Sequence, residues 1–112
     1  MNIDIQISGK NLLVRPAGEI DIDSSDKLRL LLDNAMDDNP VCHMVVNLEG
    51  VTYIDSSGLG VLLGRYKRLA ATGGRVSLVS PGPRIRKILE ISGLLRIMGQ
   101  YETEEEAISK AV

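Results

Sequence analysis

The sequence predicts an α/β fold: a mixed sheet of four to five strands with about four helices packed on it, in the order β-β-α-β-α-β-α-β-α. Three observations lead there. Apolar residues alternate at period two near the start, and short apolar runs then take turns with amphipathic stretches of helical spacing. The 112 residues suit one domain, 1–112, rather than two independently cored ones. Strands that alternate with helices run parallel through right-handed crossovers.

Ile3, Ile5 and Ile7 alternate with Asn2, Asp4, Gln6 and Ser8, the pattern of a strand with one buried face. Ser8-Gly9-Lys10-Asn11 offers a turn, and Leu12-Leu13-Val14 resumes as a second strand, so the chain opens with a hairpin. From Asp26 the period changes: Leu28, Leu31, Leu32, Ala35 and Met36 fall at helical spacing, Asp23, Ser24 or Ser25 can cap the start, and Asn39-Pro40 stops it. Cys42 to Leu48 reads as a strand buried on both faces, which Val51 to Ile54 extends past Gly50. Leu59, Leu62, Leu63, Tyr66 and Ala70 line a second helix that ends at Gly73-Gly74. Val76, Leu78 and Val79 supply the next strand. Pro83 opens a third helix bearing Ile85, Ile88 and Leu89, and Gly93 closes it. Leu95 to Met98 forms a short edge strand, and Thr103 with Glu106 makes a capping box for a last helix through Ala107, Ile108 and Ala111.

Composition narrows the function. Hydrophobic residues make up 44% and charged residues 25%, with no Phe and no Trp, so aliphatic side chains must fill the core. Thirteen basic residues scattered among fifteen acidic ones give a net charge of −2, which argues against a nucleic-acid partner, as does the shortage of aromatic stacking platforms. No apolar run approaches the roughly 18 residues of a membrane span, and the start carries no secretory pattern. The single cysteine, Cys42, reads as a buried inert thiol in a reducing compartment, and the expected location is cytoplasmic.

The informative segment is Tyr53-Ile54-Asp55-Ser56-Ser57-Gly58-Leu59-Gly60, where a strand should hand over to the second helix. Unpaired N–H groups and the helix dipole make such a corner favourable for an anion. Ser56 and Ser57 place hydroxyls there, and Gly58 and Gly60 leave the backbone open to another molecule. A phosphate on either serine would add about −1.5 to −2 charges beside Asp55 and change how this surface meets a partner. The blander alternative makes the serines helix caps and the glycines packing positions.

Catalytic motifs fail on the same residues. A nucleophile elbow needs Gly two positions before the serine, where Ile54 and Asp55 stand. His43, the lone histidine, has no spacing link to Ser56, position 63 is Leu where a dinucleotide fingerprint needs Gly or Ala, and no cluster has metal-ligand spacing. The chain is expected to be no enzyme and to need no cofactor. Glu19, Asp21 and Asp23 form an acidic loop that a mixed topology brings near Ser56, as a dock for a basic partner or as charges favouring a helix dipole. Arg84, Arg86 and Lys87 read as a solvated face.

The run from Asp55 to Lys67 resembles the signature of STAS-domain anti-sigma-factor antagonists, the sporulation sigma-F type above all. Gly18-Glu19-Ile20-Asp21, Val45-Val46-Asn47-Leu48 and Ser92-Gly93-Leu94 extend the likeness in the family's order. The resemblance implies a STAS-like fold, with Ser56 phosphorylated by an anti-sigma factor that is itself a serine kinase with a bound nucleotide. The unphosphorylated form would bind that kinase and release the sigma factor, phosphorylation would inactivate it, and a serine phosphatase would restore it. The docking surface so implied comprises Glu19, Asp21, Asp55, Ser56, Ser57, Gly58 and Gly60. Competing readings are a STAS regulatory module of a stressosome or transport system, and a small Ser-dependent hydrolase.

Overall fold

The computed structural model describes residues 1–110. Its elements are β1 (Asn2–Ser8), β2 (Asn11–Ile20), α1 (Ile22–Asp38), β3 (His43–Asn47), β4 (Val51–Ile54), α2 (Ser56–Ala70), β5 (Arg75–Val79), α3 (Pro83–Ile91), a 3₁₀ turn (Leu94–Arg96), β6 (Gly99–Tyr101) and α4 (Glu104–Lys110). The predicted Ala111 of the last helix lies outside the described residues. One mixed sheet runs β1-β2-β3-β5-β6, with β4 attached to β2, and only the β1–β2 pair is antiparallel.

The sheet has six strands, not four to five, because Val51–Ile54 is a strand of its own. Residues 11–14 of the ten-residue β2 pair with β3, and Gly18 to Ile20 pair with β4. The chain turns between them, with Val51 N–H donating to the Leu48 carbonyl at 3.0 Å. A long strand beside a short one leaves backbone groups that need a second partner, and β4 supplies it.

Successive side chains of a strand face opposite ways, and both faces are covered here. Leu12, Val14, Met44, Val46, Val76 and Leu78 join the larger core with Leu28 and Leu32 of α1, Leu62 of α2 and Leu89 of α3. The intervening Leu13, Val45 and Val79 form a smaller core with Ala107 of α4. This arrangement accounts for the uninterrupted apolar run of β3, whose residues 43–46 are all buried.

Three local expectations are corrected. Helix α1 starts at Ile22, before Asp26, because Asp21 caps it: the Asp21 carboxylate accepts from the backbone N–H groups of Asp23 and Ser24, while Ser24 Oγ accepts from Asp21 N–H. Leu95 to Met98 is not a strand. Gly93, at φ +84°, turns the chain into the 3₁₀ segment, and Leu94 and Met98 plug the core below it; the edge strand follows at Gly99. Cys42 is exposed rather than buried, since it precedes β3 instead of lying in it.

A polar network ties α4 to the second face. Arg15 donates through Nε and Nη2 to both carboxylate oxygens of Glu104 at 2.8 Å, and Asn47 Nδ2 adds a bond to Glu104 at 2.9 Å. The Arg15 bonds, and then Asn47, hold the Glu104 carboxyl below its usual range. Farther along, His43 is buried and bonds Ser77 Oγ through Nε2 at 2.6 Å and Asn11 Oδ1 through Nδ1 at 3.2 Å. Burial, with the Arg75 charge second, pushes its pKa down from 6.5 to about 4.

Because the native state keeps His43 neutral, the unfolded chain binds the extra proton between those two values, and stability falls as pH drops from 6.5 to about 4. This contribution reaches about 3 kcal/mol and is constant above 6.5 and below 4. Urea unfolding of wild type and His43→Gln across that range should show a steeper pH slope for wild type. Equal slopes would mean that His43 does not titrate on unfolding.

Candidate functional site

Two strands end side by side at one edge of the sheet, and each hands over to a helix through an aspartate. Glu19 and Ile20 of β2 lie in register with Tyr53 and Ile54 of β4, and Asp55 N–H donates to the Ile20 carbonyl at 3.2 Å. Asp21 then caps α1 and Asp55 caps α2. Asp55 Oδ1 accepts from Ser57 N–H at 2.9 Å and Gly58 N–H at 3.2 Å, so the carboxylate satisfies two of the otherwise unpaired donors of the first turn.

Ser56 is the first residue of α2 and is exposed, whereas Ser57 is half-buried. Neither serine is the cap. Ser24 and Ser25, at the equivalent corner of α1, bond backbone carbonyls through their hydroxyls. No such bond engages the Ser56 hydroxyl among the described residues, and it is left facing solvent.

The two glycines have different roles. A Cβ on Gly58 would stand 2.7 Å from Ile20 Cγ2, 2.8 Å from Ile54 Cγ1 and 2.9 Å from the Ile20 carbonyl oxygen, so Gly58 is buried where α2 meets the strand ends. Gly60 is exposed, with nothing within 4 Å of the same position. The openness read for both holds for Gly60, while Gly58 is what lets the helix start this close to the sheet.

The predicted acidic loop is not a loop. Glu19 is the exposed penultimate residue of β2, Asp21 is the α1 cap, and Asp23 lies in the first turn of α1. Strand pairing brings this acidic group to the edge that carries Asp55 and Ser56. The Ser24 backbone N–H, followed by its hydroxyl, holds the Asp21 carboxyl below the usual range. A shallow depression there is lined by Met1, Glu19, Asp21, Asp23, Ser24 and Lys27.

Sequence reasoning missed two exposed apolar side chains at this edge. Ile22, directly after the Asp21 cap, is 71% exposed, and Tyr53, opposite Glu19, is 44% exposed. Their signal was an isoleucine in a helix's first turn and an aromatic residue in a chain with almost none. His43 is bonded to Asn11 and Ser77 and does not meet Ser56, and Ser77 is 1% exposed. Arg84, Arg86 and Lys87 are exposed on α3.

Overpacking at a backbone contact typically costs 1–3 kcal/mol, so Gly58→Ala should lose about 2 kcal/mol of unfolding free energy. Gly60→Ala should gain up to about 1 kcal/mol, because alanine favours a helix interior and finds open space there. Chemical denaturation of the two variants checks the pair; equal effects would refute the distinction.

The STAS domain model matches residues 2–107. An anti-sigma F factor antagonist of Paenibacillus polymyxa is 37% identical, over 98% of this chain and 96% of its own length. The solved anti-sigma factor antagonist SpoIIAA in its unphosphorylated form superposes with a TM-score of 0.87 at 32% identity, covering 98% of this chain and 96% of that one. The phosphorylated form of the Bacillus cell fate determinant SpoIIAA gives 0.78, also at 32% identity, over 99% and 100%. With the six-stranded sheet and paired helix N-termini already in place, these likenesses establish that the chain belongs to the STAS domain family.

Proposed function

We propose that this chain is an anti-sigma-factor antagonist. Its unphosphorylated form binds an anti-sigma factor that is a nucleotide-bound serine kinase and frees the sigma factor. Phosphorylation of Ser56 by that kinase ends the interaction, and a serine phosphatase reverses it. One observation carries the reading: Ser56 presents an exposed, unbonded hydroxyl at the start of α2, beside a capping aspartate. The names of the similar proteins support it, since they are anti-sigma factor antagonists and one was solved in a phosphorylated form.

The physics of the corner favours a switch by charge. Asp55 already occupies the Ser57 and Gly58 N–H groups, so a phosphate on Ser56 finds those donors taken. Its neighbourhood is acidic, with Asp55 next to it and Glu19, Asp21 and Asp23 on the adjoining strand and helix. An added dianion stays uncompensated, and burying it against a partner is costly. Two to three units of about 1.4 kcal/mol weaken binding about a hundredfold to a thousandfold, with no refolding of the domain. In the unphosphorylated form Glu19 and Asp21 supply an acidic rim for a basic partner, and Ile22 and Tyr53 supply apolar area that a partner can bury.

Incubation with the kinase and ATP, followed by mass spectrometry, should find one phosphate at Ser56 in wild type and none in Ser56→Ala. Ser56→Ala should bind the kinase as wild type does, and Ser56→Asp should bind at least tenfold more weakly. Phosphate found only at Ser57, or equal affinities for the two variants, would remove Ser56 from the mechanism. Ile22→Ser should weaken kinase binding about tenfold with little change in thermal stability, because Ile22 packs against little of its own chain.

A further inference from the structure

The geometry points to β1 as a self-association edge: two copies of the chain pair their β1 strands antiparallel about a two-fold axis at Ile5, so that two six-stranded sheets become one. This inference shares no residue with the Ser56 reading and does not rest on it.

Strand β1 stands at the end of the strand order and pairs only with β2 among the described residues. Which backbone groups it leaves free follows from β2. The Lys10 carbonyl accepts from Cys42 N–H at 2.9 Å, and Gly18 N–H donates to the Gly50 carbonyl at 2.9 Å, so even-numbered positions turn toward β3 and β4. The odd-numbered Asn11, Leu13 and Arg15 therefore turn toward β1, where their partners are Ser8, Gln6 and Asp4. The N–H and C=O groups of Ile3, Ile5 and Ile7 face outward as an open row.

Usual protections of such an edge are missing: β1 contains no proline and no lysine, and its pairing with β2 runs without a register shift. Its one charge, Asp4, is paired with Arg15 at 2.8 Å. The strand is also self-complementary. Antiparallel pairing about Ile5 sets Ile3 opposite Ile7 and Asp4 opposite Gln6 of the second copy, so no like charges meet and the isoleucines share one face. On that face Ile3 and Ile5 are only half-buried and Ile7 is 37% exposed. On α1, Asp33 and Asp37 turn to Arg65 and Arg68 of α2. Leu31 and Ala35, two positions back and so about 200° around the helix, remain half-buried on the flank away from α2. A second copy would extend this apolar face.

Sedimentation velocity of the full chain over a concentration series tests the proposal through its register. Wild type should show a reversible monomer–dimer equilibrium. Gln6→Lys places a lysine opposite Asp4 twice and should tighten the dimer Kd about tenfold, while Gln6→Asp places two carboxylates there and should weaken it about tenfold. Gln6 is exposed and accepts from Arg15 Nη1 at 3.1 Å, a bond that a carboxylate can accept and a lysine cannot, so any loss of unfolding midpoint should fall on Gln6→Lys, opposite to the expected order of dimer strength. Ile5→Pro deletes an outward N–H and leaves the inner ladder whole, and it should abolish the dimer. A wild-type monomer at every concentration, or a dimer whose Kd is the same in Gln6→Lys and Gln6→Asp, would overturn the assignment.

Discussion

The pairing of the end of β2 with β4 is the constraint on which the rest of the site depends. It sets Ile20 beside Ile54, lets Asp55 N–H reach the Ile20 carbonyl at 3.2 Å, and brings the starts of α1 and α2 to one edge. The contact is close because residue 58 is glycine, where a side chain would strike Ile20. A half-buried aspartate then caps each helix, and each cap removes donors that would otherwise need water. Among the described residues neither serine hydroxyl of this corner is bonded, and it is Ser56 that stands exposed beside an acidic rim while Ser57 is half-buried.

The two faces of the sheet are held by different means. On the α1–α3 face a fully buried core of leucine, isoleucine, valine and methionine does the work, with the half-buried Tyr66 packed against it. The second face carries a much smaller apolar cluster, and the short α4 is tied down by the Arg15–Glu104 pair and Asn47. His43 and Ser77, which separate from Ser56 any resemblance to a hydrolase, belong to this second face as a satisfied buried pair. The Ser56 edge and the polar structure on the far face are therefore distinct parts of the molecule.

Much of the fold was legible because aliphatic periodicity is a local signal. The alternation of Ile3, Ile5 and Ile7, the helical spacing of Leu28 and Leu32, Pro83 at the first turn of α3 and the closing Gly93 each report on a few neighbouring residues. Two of the errors share a cause. Val51–Ile54 became a separate strand because of what β2 needed, and Leu94 and Met98 left the strand pattern to seal the core, so each depends on a distant element that no sequence window contains. The cap is a local matter: β2 runs up to Ile20, and Asp21 bonds the N–H groups of Asp23 and Ser24.

By itself the sequence determined the opening hairpin, the alternation of strands with helices apart from the separate β4 and the place of β6, the aliphatic core and the serine pair at a strand-to-helix corner, because these follow from neighbouring residue types. Only the tertiary structure decided that Ser56 is exposed while Asp55 does the capping, that Gly58 packs while Gly60 is open, and that Glu19 and Asp21 share an edge with Ser56. The physical reason is that exposure and adjacency are set by strand register and close packing between segments more than thirty residues apart.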